Sequence, residues 1–487
     1  MDRRSAPERC RVIYIMLNFR KSLLNNALIS LLTLTITLAW PLTAAAETVT
    51  LQKEKEIGQR FHLRVAAAGV LEDDPIINKY FKQVTSRILK GAGLRPDQYN
   101  FYIIRSSGIN AFAVPGGYIY MHTETIYSLE NEGQLASILG HEVAHITSRH
   151  YARRMEAASG YTVATLAAML AGALVASQGG KSGAELGPAI IGLATGATVS
   201  SMLANSREDE AEADAKGHQY LTKAGYNARD MYGAFKIMAN KTFQTNPNSS
   251  TYLTTHPSLT SRLATTFKDY ENAPPAGVDV NYMAFRDRVL ALTAEHNRVQ
   301  SIMTKRLQVN KNDHSARHAL GLLNARKQQL TVADKLINEA LTLSPNNREY
   351  LADLGDLALW RKKPQEAKAY YERADQNNRQ VVLGMARSHE LLGDKGKAAT
   401  LYEKAINMEV EPFPEALELG GRFFGSIGQK GKGHYYLGKY FASTGNLKQA
   451  VFHFKETEKQ PDAGNLRNVA KREAGRIDEI MKEEKKR

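Results

Sequence analysis

Cysteine is all but missing: 487 residues contain one, Cys10. That excludes a disulfide scaffold and a cysteine-built zinc finger, so any bound metal must be held by histidine and carboxylate. Strongly apolar runs of membrane-spanning length are lacking as well. Ala27–Trp40 falls short of the ~20 residues of a comfortable span, and Tyr161–Ser177 and Leu186–Leu203 are diluted by Ala, Gly, Ser and Thr. No block of basic residues interleaves with aromatics, although 64 Lys+Arg outnumber 50 Asp+Glu for a net charge of +14. The positive balance reads as a solvated basic surface, with no nucleic-acid partner. What remains, 43% hydrophobic and 23% charged, is an ordinary globular chain long enough for two or three domains.

The first residues have the form of an export signal. Arg20 and Lys21 precede the apolar run, and Leu42–Ala46 offers a small-residue cleavage site before Glu47, so residues 1–46 are expected to be removed. Met16 is an alternative start, because the stretch before it is long and charged for a signal. Cys10 would leave with the signal, and a mature chain without thiols suits an oxidising compartment.

The mature chain is expected to be α+β and mainly α. Residues 47–280 mix strand-like and helix-like patterns, with a boundary at Ala273-Pro274-Pro275-Ala276-Gly277. Residues 281–305 form a helical connector, 306–475 a repeat domain, and 476–487 a charged tail. In the repeat domain Gly321, Ala333, Ala340 and Pro345 are spaced 12, 7 and 5 apart. Gly355, Ala367 and Ala374 repeat the first two spacings, and Gly355 follows Gly321 by 34. That is the tetratricopeptide period, in which small residues let antiparallel helices pack closely. A third unit is expected around Ala398, Tyr402 and Ala405. A fourth is expected at Gly438, Ala450 and Phe454, after extra helical material near Glu415–Ile427 that interrupts the array. Such an array binds a partner and performs no chemistry.

Chemistry is carried by His141-Glu142-Val143-Ala144-His145, within a helical pattern of Leu135, Ile138, Leu139 and Ile146 that Asn131 and Gln134 are placed to cap as a pair. At 100° per residue the two histidines differ by about 40°, so both imidazoles project from one face. Glu142 lies about 60° from His145, badly placed to ligate the same ion but well placed to reach a bound water. This is the two-histidine zinc helix with a carboxylate base. A third ligand must come from elsewhere. Glu210 and Asp214, within the acidic run Glu208–Asp214, share a helical face. One can bind metal while the other accepts a hydrogen bond from a ligand imidazole; Glu212 points away. A solvated acidic face is the ordinary reading of such a run, but a zinc helix short of a ligand favours the functional one. His122, His150 and His218 lie near the motifs without a pattern partner and are set aside.

With its pair of motifs, HEVAH and then EAEAD, the chain resembles the gluzincin metallopeptidases related to HtpX and the CAAX prenyl endopeptidase. Ile109–Gly117 before the zinc helix, and Thr255-His256-Pro257 with Arg262 after it, are similar too. An export signal and C-terminal repeats place the resemblance in the periplasmic BepA/YfgC-like branch, proteases of outer-membrane quality control. The resemblance implies one Zn2+ per chain on His141, His145 and Glu210, Glu142 as general base, and Asp214 as orienter of a ligand, with Arg262 the matching downstream arginine. It implies that Asn110, Ala111, Phe112, Ala113 and Val114 form an edge strand, turned by Pro-Gly-Gly into a strand at Tyr118–Met121, that pairs with an extended substrate. His256 is expected near the metal, either donating to the tetrahedral intermediate or taking zinc's fourth position and holding the enzyme off. The implied substrates are unfolded or misassembled envelope proteins, and the implied partner of the repeats is the outer-membrane assembly machinery, in the periplasm. The rival expectation is a chaperone or scaffold with rare or latched cleavage. Residues 161–203 are expected as a helical hairpin beside the cleft, with peripheral membrane contact as the second reading.

Overall fold

The computed structural model describes residues 49–157, 205–244, 256–257, 259–272 and 279–485. The expected export signal at 1–46, the apolar segments within 161–203 and the Pro274-Pro275 boundary lie outside the described residues. No helix among the described residues is long and apolar enough to cross a membrane.

Thr50 caps helix α1 (Leu51–Ala67), accepting from Lys53 N. Asp74 caps α2 (Pro75–Gly91) through Ile76 N and Ile77 N, with Pro75 at the position where a missing N–H is harmless. Three short strands follow, β1 (Asn100–Ile104), β2 (Ala111–Val114) and β3 (Tyr118–His122). β3 is central, parallel to β1 and antiparallel to β2. The reversal between β2 and β3 uses Gly116 and Gly117 at φ of 85° and 87°, conformations that L side chains rarely take. Next come α3 (Thr123–Ser128), α4 (Glu132–Thr147), α5 (His150–Ala157), α6 (Arg207–Lys223), α7 (Arg229–Gln244) and α8 (Leu259–Asn272). Helix α4 is buried from Glu132 to His145, so the sheet, α2, α6 and α7 are assembled around the helix that bears the HEVAH motif.

The expected connector is a pair of helices, α9 (Val280–Thr293) and α10 (His296–Val309). Tyr282, Phe285 and Val289 of α9 join the core around α4, while Leu290 and Ala291 join the first core of the repeats. One helix therefore belongs to both halves of the molecule. Antiparallel pairs follow: α11 (His314–Arg326) with α12 (Leu330–Leu343), α13 (Arg348–Trp360) with α14 (Pro364–Arg373), and α15 (Arg379–Leu391) with α16 (Lys395–Asn407). This is a tetratricopeptide-like array, and the chain as a whole is α+β, mainly α.

Two details of the repeat differ from expectation. The helical material at Glu415–Ile427 does not interrupt the array. It is α17 (Pro414–Ser426), which pairs with α18 (Lys430–Ser443) as the fourth unit. The unit was hidden because, 12 and then 7 residues after Gly421, Gly433 and Tyr440 stand where the pattern has alanines. A Cβ on Gly433 would lie 2.8 Å from Gly421 O, so these two backbones nearly touch. The Gly438–Ala450 spacing instead joins α18 to α19 (Leu447–Lys459) of the next unit, where Gly438 accommodates the Phe454 ring. Nor is there a separate tail from 476: α20 (Leu466–Lys485) runs through that point, and Ala470, Ala474 and Ile477 pack on Phe454 and Val451.

The array touches the first half repeatedly along α2. Arg288 of α9 joins Asp74 at the α2 cap to Asp353 of α13. Lys79 reaches Asp375 at 2.6 Å, and Lys82 reaches Glu409 and Glu411 at 3.1 and 2.9 Å. Between the halves lies a cavity of ≈ 560 Å³, lined by Phe101 and Tyr102 of β1 and by Phe413, Tyr435 and Phe454 of the repeats.

Candidate metal centre and active site

Asn131 caps α4, its Oδ1 accepting from Gln134 N at 2.8 Å. The reciprocal bond of a capping pair is not made: Gln134 Oε1 accepts from Glu130 N, and Asn131 Nδ2 donates to Asp230 of α7. Ser206 and Asp209 form a true capping box for α6. Glu208, Asp209 and Glu210 therefore lie in its first turn, where the helix N-terminus favours negative charge. The two helices cross at Gly140 and Gly217. A Cβ on Gly217 would sit 3.0 Å from the backbone of His141, so glycine there lets Glu210 approach the histidines of α4.

His141, His145, Glu210 and His256 each offer a ligand atom within 4.8 Å of the others, and all four are buried. His141 Nε2 and His145 Nε2 are 2.9 Å apart. Glu210 Oε1 lies 3.4 Å from His145 Nε2 and 2.9 Å from His256 Nδ1. The outer nitrogens have their own partners. His141 Nδ1 is 2.9 Å from Asp214 Oδ1, a pairing that places the ring proton on Nδ1. Arg262 holds Asp214 by two bonds, of 2.8 and 2.7 Å, and its Nη1 lies 2.7 Å from Glu210 Oε2. The Arg262 guanidinium lies over the Phe235 ring at 4.1 Å.

This donor set fits a divalent cation. With protons drawn outward, two imidazole lone pairs face each other across 2.9 Å beside a carboxylate, and neither ring can donate to the other. Nitrogen and carboxylate ligands in this number suit zinc.

A family comparison agrees with that chemistry: residues 75–267 match peptidase family M48. The chain is similar to M48 metallopeptidases over those residues, and the match together with the buried cluster supports a metalloendopeptidase. The beta-barrel assembly-enhancing protease of Escherichia coli K12 is 24% identical over 446 residues, 90% of this chain and 90% of its own. A Vibrio cholerae counterpart is 28% identical over 321 residues, 65% of each chain, so the match spans just under two-thirds of that relative. Among solved structures the tetratricopeptide protein YrrB is 16% identical over 36% of this chain and 92% of its own, at a TM-score of 0.29. That likeness is too slight to carry an argument.

Charge in the site is unevenly tuned. Burial raises the Glu142 carboxyl above its ordinary range. Neither of its oxygens has a hydrogen-bond partner among the described residues, and His256 Nε2 is 3.5 Å from Oε1. Burial works against charge on Glu210 too, but His256 and Arg262 outweigh it and hold the carboxyl well below the usual carboxylate range. Asp214 is likewise lowered, burial being outweighed by Arg262 and His141. Burial pushes His145 well below the ordinary imidazole value. For His256 burial acts the same way but Glu210 and Glu142 outweigh it, so its value is raised.

The strand Ala111–Val114 has one partner among the described strands, β3, and stands at the end of the sheet order. Ala111 O lies 3.3 Å from His256 Nε2, which puts the start of β2 against the metal cluster. Asn110 is already engaged: its N donates to Thr125 Oγ1, and its O accepts from His122 N and Thr125 Oγ1. Phe112 stacks on Tyr120, and Ala113 and Val114 are buried.

Two residues near the site escaped the sequence. Asn205 Nδ2 donates to Glu210 Oε1 at 2.7 Å while its Oδ1 accepts from Arg154. His150, set aside for want of a pattern partner, is wholly buried with its Nδ1 2.7 Å from His145 Nδ1. Its spacing five beyond His145 was the available signal, but it falls after the helix ends, where helical periodicity says nothing. His122 lies in β3 with Nδ1 2.9 Å from Gly108 O.

Proposed function

We propose that this chain is an exported zinc endopeptidase that hydrolyses unfolded or misassembled envelope proteins, with the repeats docking it to outer-membrane assembly machinery. One observation carries the catalytic part: Glu142, both oxygens buried without hydrogen-bond partners, beside an electron-rich cluster of two imidazoles and a carboxylate. His141, His145 and Glu210 would hold the ion, which when bound polarises a carbonyl and lowers the pKa of water toward neutrality.

The chain's own residues do the rest. Glu142, its basicity raised by burial, takes the proton of the attacking water and passes it to the departing amine. Asp214 keeps the His141 proton on Nδ1, and Arg262 keeps Asp214 ionised and in place. The open edge of β2 pairs with the substrate backbone, giving affinity with little sequence demand. His256 is read as a latch rather than a donor, because its Nδ1 lies among the ligand atoms while Nε2 faces Ala111 O. Turnover then requires its withdrawal.

The relatives supply the physiological reading: the E. coli protein is named as a beta-barrel assembly-enhancing protease. The cavity shared by repeats and peptidase half suits a partner that touches both. The test compares wild type with Glu142→Gln on an unfolded outer-membrane barrel protein with zinc added. Cleavage is expected from wild type and a loss of about 10²- to 10⁴-fold from the variant. Equal cleavage by both would remove Glu142 from the mechanism. No cleavage by either, with zinc bound, would favour the chaperone reading and make His256 the next residue to change.

A further inference from the structure

The two histidines of α4 are supported differently. His141 Nδ1 meets a carboxylate directly, Asp214 at 2.9 Å. His145 Nδ1 meets no carboxylate; it meets His150 Nδ1 at 2.7 Å. Two facing ring nitrogens at that distance share one proton. If His145 uses Nε2 toward the cluster, its proton must sit on Nδ1 and be donated to the lone pair of His150. His150 must then carry its own proton on Nε2, which lies 3.1 Å from Glu212 Oε2 and 3.6 Å from Asp209 Oδ1. Each link has one consistent direction, and the chain ends on acids.

The surroundings are built to keep it so. Arg149, between the end of α4 and His150, takes φ of 52°, a left-handed conformation that costs a residue with a side chain about 1 kcal/mol. Its guanidinium is fastened to Glu54 Oε1 at 2.9 and 2.6 Å and to Val49 O at 2.6 Å. This turn folds His150 back under His145 rather than letting α4 continue. Glu212 is held in turn by Lys216 at 2.8 Å and Arg153 at 3.2 Å.

We infer that His150 is a positioning residue of the metal centre, which fixes the tautomer and ring orientation of His145 and passes on the basicity of Glu212. It does for His145 what Asp214 does for His141, with one imidazole interposed. The inference rests on the metallopeptidase reading and deepens it: a residue outside both the HEVAH and EAEAD motifs, His150, sets the affinity of the site. Glu212, which points away from the cluster, then has a role in it.

The test measures zinc affinity of the full mature chain by competition with a chromogenic chelator, together with the visible spectrum of the cobalt-substituted protein. His150→Phe keeps the ring volume and removes the acceptor. It is expected to weaken zinc binding 10- to 100-fold and to alter the cobalt bands. His150→Asn returns an acceptor oxygen near the Nδ1 position and is expected to bind within a few-fold of wild type. A folded Phe variant that binds as wild type does would overturn the inference, as would an Asn variant no better than Phe. If the Phe variant does not fold, Glu212→Gln at its partly exposed position decides: weaker binding supports the relay and unchanged affinity overturns it. Should wild type itself hold no zinc, the metal reading fails; should wild type hold zinc and the variants match it, only the role of His150 fails.

Discussion

At Arg288 the charges of the described residues close on one another, whereas at the metal centre one is left open. Arg288, 3% exposed, donates to Asp74 at 3.0 and 2.7 Å and to Asp353 at 2.7 and 3.0 Å. His318 adds a contact to Asp353 at 2.8 Å and stacks on Tyr350. Asp74 also caps α2. Burial opposes the charge of Asp353, but Arg288 and His318 hold it below the ordinary carboxylate range. The metal centre is as deeply buried, yet Glu142 has no hydrogen-bond donor and its carboxyl is raised. The difference separates two uses of buried charge. A closed cluster fixes the geometry of two halves, here the α2 cap and the repeat array. An open one, on the proposed function, keeps a group reactive for water and an ion that the chain does not itself supply.

The strongest way to break this comparison is Arg288→Met. Removing the cation leaves the buried Asp353 carboxylate and the half-buried Asp74 facing each other's field, and a loss of about 3–5 kcal/mol is expected, read by urea denaturation of the metal-free protein. A loss under about 1 kcal/mol would show the cluster to be no more than a surface-grade ion pair. Acid gives a gentler probe of the same cluster. The folded-state pKa of Asp353 is depressed, so the unfolded chain takes up the proton first. Its contribution is full above the unfolded value near ~3.9 and fades as pH falls through the folded one. The gap between wild type and Asp353→Asn, which lacks the titrating group, should therefore stay level from neutral pH to about 5 and narrow only below about 4. A gap that stays level down to about pH 3 would show that the cluster does not depress the Asp353 carboxyl.

These two clusters were unequally legible in the sequence. The HEVAH helix, Glu210 and Asp214 could be read because helical geometry ties side-chain direction to spacing, and the structure brings them together on α4 and α6. The small-residue spacing gave the first repeat pairs for the same reason. The fourth pair was misread because Gly433, packed against the Gly421 backbone, does by close approach what an alanine does elsewhere. His150 was passed over because its placement depends on a single left-handed residue, Arg149, held by Glu54 from the other end of the domain. Arg288 was invisible altogether. Its partners lie 214 and 65 residues away in sequence, and nothing local in a helix that reads as a connector marks it as the junction. Periodic elements declare their faces; turns and long-range ion pairs do not.

The smallest effect tests the open side of the comparison. If Glu142 is buried for chemistry and not for stability, Glu142→Gln should leave the metal-free protein no weaker. A carboxylate whose two oxygens are buried without donors is penalised by about 1–3 kcal/mol, and a neutral amide of the same shape escapes the charged part of that penalty. A gain of about 1 kcal/mol is expected, seen as a higher urea midpoint with an unchanged slope. The same substitution removes the proposed proton acceptor and is expected to cut turnover about 10²- to 10⁴-fold, which sets stability against activity at a single atom pair. At Arg288 loss of charge should only destabilise. A comparable loss on changing Glu142 would mean that the carboxylate is tied into the fold, and the distinction between closed and open charge would not hold.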